Sequence, residues 1–134
     1  MKGPEMLTKW LTGFGYTEGL SEFVEQFPEA KHNGIIYRGL YFDHYPSLDE
    51  IQNCNFCSWT TDKNVAEYFA SHSKYGLVLS KNSTGYDVHK ILETLRERNE
   101  LPERLKNYRS KASEKEIIDV LNVDEIRVRR VGIR

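Results

Sequence analysis

Residues 113–118 read Ser-Glu-Lys-Glu-Ile-Ile and place two carboxylates two positions apart at the start of an apolar run. This run predicts a β-strand over residues 114–120. Side chains at positions i and i+2 of a strand point to the same face, about 6–7 Å apart along the chain. We therefore expect Glu114 and Glu116 to face one pocket. Such a pair suits a reaction in which one carboxylate stabilises a developing cation and the other acts on a nucleophile.

The composition indicates one globular domain. The 134 residues are 39% hydrophobic, which supports one core, so residues 1–134 are expected to form a single domain. The 19 basic and 20 acidic residues give a net charge of −1, so the chain as a whole has no excess of positive charge that would indicate nucleic-acid binding. The sequence contains neither a run of about 18 apolar residues nor the apolar segment of a signal peptide. We therefore expect a cytoplasmic protein with no membrane partner.

The spacing of cysteine and histidine predicts no metal site. Cys54 and Cys57 form a single C-x-x-C pair, which is at most half of a zinc site. We interpret them as two reduced thiols in or beside a strand. The histidines are scattered without metal-ligand spacing, at His32, His44, His72 and His89.

Hydrophobic periodicity predicts two short helices near the N-terminus, packed as cover on a sheet. The first lies within residues 5–12, and the second begins at Leu20, with Ser21 or Thr17 as its cap and Pro28 after its end. The apolar stripe of the second helix has the spacing i, i+3, i+4, i+7 and consists of Leu20, Phe23, Val24 and Phe27.

Strands and helices then follow without the regular alternation of a parallel sheet. Strands are predicted over residues 35–42, 55–60, 76–80, 114–120 and 125–131. Thr61-Asp62 is an N-cap signal for a helix after the second strand, and its predicted buried stripe is Val65, Ala66, Phe69 and Ala70. Another helix begins near Asp87, and its apolar stripe has the spacing i, i+3, i+4, i+7 and consists of Val88, Ile91, Leu92 and Leu95. This order predicts an α+β fold with a mixed, mainly antiparallel sheet.

Arg38 is the first candidate site residue, because it lies inside an apolar strand. A buried guanidinium is costly unless it is paired, and its planar fork suits bidentate binding of a phosphate or carboxylate. The alternative is a structural ion pair, for which Glu116 is a candidate partner. Gly39, which follows, permits close approach of a ligand to the backbone.

Ser58 and Thr60 share one strand face, so two hydroxyl groups point in the same direction. No general base is adjacent in sequence, so a serine nucleophile is not indicated. Each of these motifs also has an ordinary explanation, because hydroxyls on a polar strand face and solvated glutamates are common. The combination of the motifs, and their order in the chain, carries more weight than any one of them.

The combination resembles the R-S-E mono-ADP-ribosyltransferases, a family that includes bacterial toxins, phage enzymes and vertebrate ecto-enzymes. The resemblance rests on Tyr37-Arg38-Gly39, on residues 56–70 (FCSWTTDKNVAEYFA) and on Glu114-Lys115-Glu116, and it spans roughly residues 35–120. The middle block is the most specific part. The tryptophan and threonine that follow Ser58 replace the second and third residues of the family's frequent Ser-Thr-Ser.

The resemblance implies an ADP-ribosyltransferase-like fold and roles for the core residues in binding NAD as a co-substrate. Arg38 would bind an NAD phosphate and ribose, and the backbone of Gly39 would contact the nicotinamide amide. Ser58, supported by Thr60, would bond near the nicotinamide ribose and position the catalytic glutamate. That glutamate would be Glu116, bonded to the ribose 2′-hydroxyl.

The resemblance also implies an acceptor side. Glu114 would engage the acceptor, which in family members with this residue is usually a guanidinium, and the polar segment with Tyr108 as an exposed aromatic would meet the target. The expected activity is transfer of ADP-ribose to a macromolecule, with a protein arginine as the expected acceptor and a nucleic-acid acceptor as a further option. If the protein is phage-encoded, it would act in the host cytoplasm. Two alternatives stay open: an NAD glycohydrolase, and a non-catalytic binding or inhibitory protein, such as a phage anti-defence protein.

Overall fold

The computed structural model describes residues 3–13, 15, 18–108 and 115–131. The helices in these ranges are α1 (Gly3–Leu11), α2 (Leu20–Val24), α3 (Lys63–Ala70) and α4 (Val88–Glu97). The strands are β1 (Ile35–Leu40), β2 (Cys54–Thr60), β3 (Gly76–Asn82), β4 (Tyr86–Asp87), β5 (Glu116–Leu121) and β6 (Arg127–Val131). Short 3-10 turns span Pro28–Ala30, Leu48–Glu50, Glu103–Leu105 and Val123–Glu125.

The six described strands form one sheet in the order β4-β5-β2-β1-β3-β6, and every neighbouring pair is antiparallel. The protein is therefore an α+β fold built on an antiparallel sheet, which confirms the fold class expected from the order of elements. In the described part of the chain the longest helix, α4, has 10 residues, and no helix is long and apolar enough to cross a bilayer.

One face of the sheet is covered by helices. The cluster on this face joins α1, α2 and α4 to β5, and it contains Leu7, Leu20, Phe23, Val24, Phe27, Ala30, Val88, Ile91, Leu92, Leu95, Leu105 and Ile118. Helix α3 packs beside it through Ala66 and Ala70, against Val78. The predicted position of the N-terminal helices as cover for the sheet is confirmed.

The opposite face holds a second cluster built from alternate strand positions. Its buried members are Ile36, Ile51, Cys57, Trp59, Leu77, Leu79, Ile117 and Leu121. Residues opposite each other on antiparallel strands share a face. Ser58, opposite Ile118, and Thr60, opposite Glu116, therefore point towards the helical face, whereas Trp59 and Ile117 point away from it.

One predicted helix cap is confirmed, one cap was not predicted, and one prediction is wrong. The carboxylates of Asp62 and Asp87 accept backbone hydrogen bonds at the starts of α3 and α4. Ser21, however, lies inside α2, and the position before the helix is Gly19, which has a φ of 94° and makes no side-chain cap. Thr17 lies outside the described residues.

The strand predicted over residues 114–120 begins later than expected. β5 starts at Glu116, and the preceding Lys115 is a turn residue with a φ of 54°, in the left-handed region. The argument that Glu114 and Glu116 share a face requires an extended residue between them, so that argument does not hold. Glu114 itself lies outside the described residues. Two other strands are also shorter than predicted, because β1 stops at Leu40 and β6 starts at Arg127.

Candidate functional site

The candidate site lies where the sheet opens between β1 and β2. β1 pairs with β3 along its whole length, from Ile35 to Leu40. Within the described residues its register with β2 is limited to Tyr37 opposite Thr60. A cleft of about 340 Å³ opens beside this position and is bordered by α3. It is lined by Tyr37, Arg38, Gly39, Leu40, Tyr41, Ser58, Trp59, Thr60, Val65, Ala66 and Phe69.

Arg38 bridges the opening between the two strands. Its Nη1 donates a hydrogen bond of 2.7 Å to the backbone carbonyl of Ser58. Its Nε is buried and has no hydrogen-bond partner within the described part of the protein. The hydrogen bond from Nη1 thus connects β1 to β2 where the two strands lack backbone pairing. The buried Nε is costly for the folded state, because a buried donor without an acceptor loses its hydrogen bonds to water. No ion pair between Arg38 and Glu116 is seen in the described residues, so the predicted alternative of a direct structural pair is not what holds the arginine.

Ser58 and Glu116 are joined directly. Ser58 Oγ donates a hydrogen bond of 2.6 Å to Glu116 Oε2, and Tyr108 Oη donates one of 3.0 Å to Glu116 Oε1. The carboxylate is held on both oxygens, and Glu116 is only 3% exposed. It does not line the cleft, although its partner Ser58 does. Arg38, Ser58 and Glu116, which come from three strands, are therefore linked in one chain of hydrogen bonds.

Tyr108 differs from its predicted position. It was expected to be an exposed aromatic that meets a target, but it is half-buried and packs against the helical core. Its hydroxyl reaches a carboxylate eight positions further along the chain, on β5. No local sequence pattern indicates this contact, because it depends on how the chain after α4 returns to the sheet.

Thr60 and Gly39 line the cleft but have clear structural tasks. Thr60 Oγ1 accepts the N–H of Asp62 at 3.0 Å, which shapes the turn into α3. A Cβ atom built on Gly39 would lie 2.2 Å from the carbonyl oxygen of Ala66, so only glycine lets α3 sit this close to β1. The predicted contacts of both residues with NAD stay predictions.

An aromatic cluster at the rim of the cleft was not predicted from the sequence. His72 stacks on Tyr41 at 5.3 Å between ring centroids and on Phe69 at 5.8 Å. Phe69 was expected in the buried stripe of α3, but it is 40% exposed, because α3 packs through its alanines and turns Phe69 towards the cleft. The sequence signal that could have indicated this is the pair of adjacent aromatic residues, Tyr68 and Phe69, beside two alanines at helical spacing, Ala66 and Ala70.

The cysteines are free thiols on β2, as predicted. Burial, above all, raises the pKa of the Cys57 thiol to about 12. This thiol therefore stays protonated near neutral pH and is unsuited to act as a nucleophile. In the ranges that the structure describes, no group of three or more His, Cys, Asp and Glu side chains is placed to hold a metal ion.

No family model, curated protein or solved structure is similar enough to this chain to count as a match. The resemblance to the R-S-E mono-ADP-ribosyltransferases therefore rests on the motifs of the sequence.

Proposed function

We propose that the protein is an NAD-dependent mono-ADP-ribosyltransferase with an ADP-ribosyltransferase-like fold. One observation carries the proposal: the arginine, serine and glutamate of the three sequence motifs are linked by hydrogen bonds although they lie on three strands. A set of unrelated polar residues has no reason to converge in this way. The proposal is stronger than any single motif, because each motif alone has an ordinary structural explanation.

The cleft suits part of a dinucleotide. Its volume of about 340 Å³ is near the lower end of the range, about 300–1,000 Å³, that is common for small-molecule sites. Arg38 lies in its wall with a buried Nε that has no hydrogen-bond partner among the described residues, and a guanidinium is well suited to bind phosphate. NAD would enter with its phosphates towards Arg38 and its nicotinamide ribose towards Ser58.

The proposed chemistry passes through a ribose cation. The bond between C1′ and the nicotinamide nitrogen breaks, and its electron pair leaves with nicotinamide. The carboxylate of Glu116 bonds the ribose and stabilises the developing positive charge more than the ground state. A nitrogen of the acceptor guanidinium then bonds to C1′ and loses a proton, and Glu114 is proposed to orient the acceptor or take that proton. Glycosidases use carboxylates against the same kind of cation.

A second candidate is a binding protein that uses the same fold without catalysis. The observation that favours it is the burial of Glu116 beneath Tyr108, because a carboxylate in that position does not reach the cleft. Such a protein would act by docking to a target, and the loss of Glu116 would leave its biological effect intact.

The test uses NAD labelled in its adenylate part, the purified protein and a bacterial lysate as a source of acceptors. We expect label in macromolecules, and mass spectrometry should place ADP-ribose on arginine. Glu116→Gln should abolish transfer, whereas Glu97→Gln, at an exposed position of α4, should not change it. Nicotinamide release at a rate unaffected by lysate would instead indicate a glycohydrolase. NAD binding with neither reaction would favour the binding protein, and a folded protein that does not bind NAD would overturn the proposal.

A further inference from the structure

Cys54 and Cys57 are the only cysteines of the chain, and both lie on β2. The register of β2 with β5 shifts between them, because Cys54 lies opposite Leu121 and Cys57 lies opposite Asp119. β2 thus advances by three residues where β5 advances by two, which is a β-bulge with one extra residue on β2. Leu121 and Asp119 are two positions apart on a strand and share a face, so their partners Cys54 and Cys57 share that face as well.

The bulge places the two cysteines near the separation that a disulfide needs. In a regular strand, residues three positions apart point to opposite faces and do not meet. Residues that follow each other on one face lie about 6–7 Å apart, and the Cα atoms of a disulfide lie about 4.4–6.8 Å apart. Cys54 Sγ donates a hydrogen bond of 3.0 Å to the carbonyl oxygen of Phe56, the residue before Cys57. The Cys54 side chain therefore leans along β2 towards Cys57.

We propose that Cys54 and Cys57 are a redox-sensitive thiol pair, which closes to an intrachain disulfide by exchange with a low-molecular-weight disulfide such as oxidised glutathione. Cys54 is exposed and reacts with the oxidant, whereas Cys57 is 7% exposed and reacts only with Cys54. The inference does not rest on the proposed function, because neither thiol lines the cleft. The bond would form in β2 directly before Ser58.

The exchange has two steps. The Cys54 thiolate attacks one sulfur of oxidised glutathione, so that a mixed disulfide forms at Cys54, and one glutathione leaves and takes up the proton that Cys54 has lost. The Cys57 sulfur then attacks Cys54 Sγ, and the second glutathione leaves with the proton of Cys57. The two protein thiols are thereby oxidised by two electrons, and one molecule of oxidised glutathione is reduced to two thiols.

The second step uses a thiol that is protonated near neutral pH. Burial, above all, and the neighbouring Cys54 raise the pKa of Cys57 to about 12, so about one molecule in 10⁵ carries the Cys57 thiolate at neutral pH. Although Cys57 is unsuited to attack a free ligand, an intramolecular reaction between well-placed groups gains an effective concentration of about 10⁵ M or more. This gain offsets the small thiolate fraction. The rate of the second step should rise about tenfold per pH unit, as that fraction does.

The test incubates the folded wild-type protein with mixtures of oxidised and reduced glutathione at mildly alkaline pH, stops the exchange with acid and measures the intact mass. We expect a product that is lighter than the reduced protein by two hydrogen atoms, formed through a species that carries one glutathione. Alkylation followed by tryptic digestion should find both cysteines protected in one peptide, residues 39–63. Cys57→Ala should stop at the mixed disulfide, and Cys54→Ser should take up no glutathione, because its remaining thiol is buried.

The same exchange in concentrated urea is the matched control for the contribution of the fold. The intrachain disulfide should form about tenfold less readily there, because the bulge that holds the two thiols on one face is lost. A folded wild-type protein that keeps both thiols, stops at the mixed disulfide or pairs only with a second copy of the chain would overturn the inference. Equal or easier formation in urea, or uptake of glutathione by Cys54→Ser, would overturn it as well.

Discussion

Gly39 and Gly76 are two positions of the sheet at which the backbone of α3 lies in close contact. A Cβ atom on Gly39 would meet the carbonyl oxygen of Ala66 at 2.2 Å, and one on Gly76 would meet that of Ala70 at 1.8 Å. The two glycines therefore perform the same packing task at different points along one helix. They differ in one respect, because Gly39 lines the candidate cleft and Gly76 does not.

This difference gives a prediction at the residue scale. Gly39→Ala and Gly76→Ala should both lower the free energy of unfolding, by about 1–3 kcal/mol or more, because extra atoms are forced into a filled space. Only Gly39→Ala should also weaken NAD binding, since it displaces the walls of the cleft. Urea unfolding gives the stabilities, and calorimetry on the folded variants gives the affinities. Equal losses of NAD affinity in the two variants would mean that Gly39 has no special relation to the ligand.

At the scale of elements, β3 and β5 are connected by an ion pair inside the protein. Lys81 Nζ lies 3.4 Å from Asp119 Oδ2 and donates to the carbonyl of Val120 at 3.1 Å, and both charged side chains are 2% exposed. The Asp119 carboxylate also accepts the N–H and hydroxyl of Thr84, which fixes the segment between β3 and β4. The pair thus ties together elements around β5, the strand that carries Glu116.

Removing one member of this pair should be costly. Lys81→Met is expected to lower the free energy of unfolding by about 3–5 kcal/mol, because it leaves a buried carboxylate without its counter-charge. Lys106→Met is the control, because Lys106 forms an ion pair with Glu103 at the surface. The side chain of Lys106 is 57% exposed and that of Glu103 is 83% exposed. Loss of this ion pair should cost under about 1 kcal/mol. Chemical denaturation measures both, and similar small losses would show that the buried pair contributes no more than the exposed one.

Local signals predicted the elements well where neighbouring residues decide the structure. The periodic stripe of α4 is buried as expected, and the predicted cap of α3 is in place at Asp62. The starts of β5 and β6 were placed too early, because turns at Lys115 and at Val123–Glu125 interrupt runs that look extended. The two-residue strand β4 was not predicted, since its strand character comes from pairing with β5 and from a bridge between Tyr86 and Lys31.

At the scale of the whole molecule, the antiparallel sheet separates in its middle, between β1 and β2, rather than at an edge. Arg38 spans that separation, so the same arginine connects the two halves of the sheet and lines the candidate site. A ligand that binds there would hold both halves of the sheet and should stabilise the entire domain, because binding to the folded state alone shifts the unfolding equilibrium.

We expect NAD at about 100 times its dissociation constant to stabilise the wild-type protein by about 2.7 kcal/mol, seen as a higher melting temperature. Arg38→Lys should lose most of this effect, because an ammonium keeps the charge but not the planar fork. Arg129→Lys is the control, since Arg129 is exposed and paired with Glu67, and neither residue lines the cleft. An NAD-dependent shift that survives in Arg38→Lys would place the ligand elsewhere.

The sequence by itself determined the α+β class, most helices and strands, and three of the residues that converge at the site: Arg38, Ser58 and Glu116. Periodicity and caps determined the class and the elements, because they depend on residues a few positions apart. The three site residues came from the motifs that resemble the R-S-E mono-ADP-ribosyltransferases. Only the tertiary structure decided that Glu116 is buried, that Tyr108 holds it, and that Phe69 faces the cleft. These features arise from contacts between segments far apart along the chain, and their geometry is set by the packing of helices on the sheet.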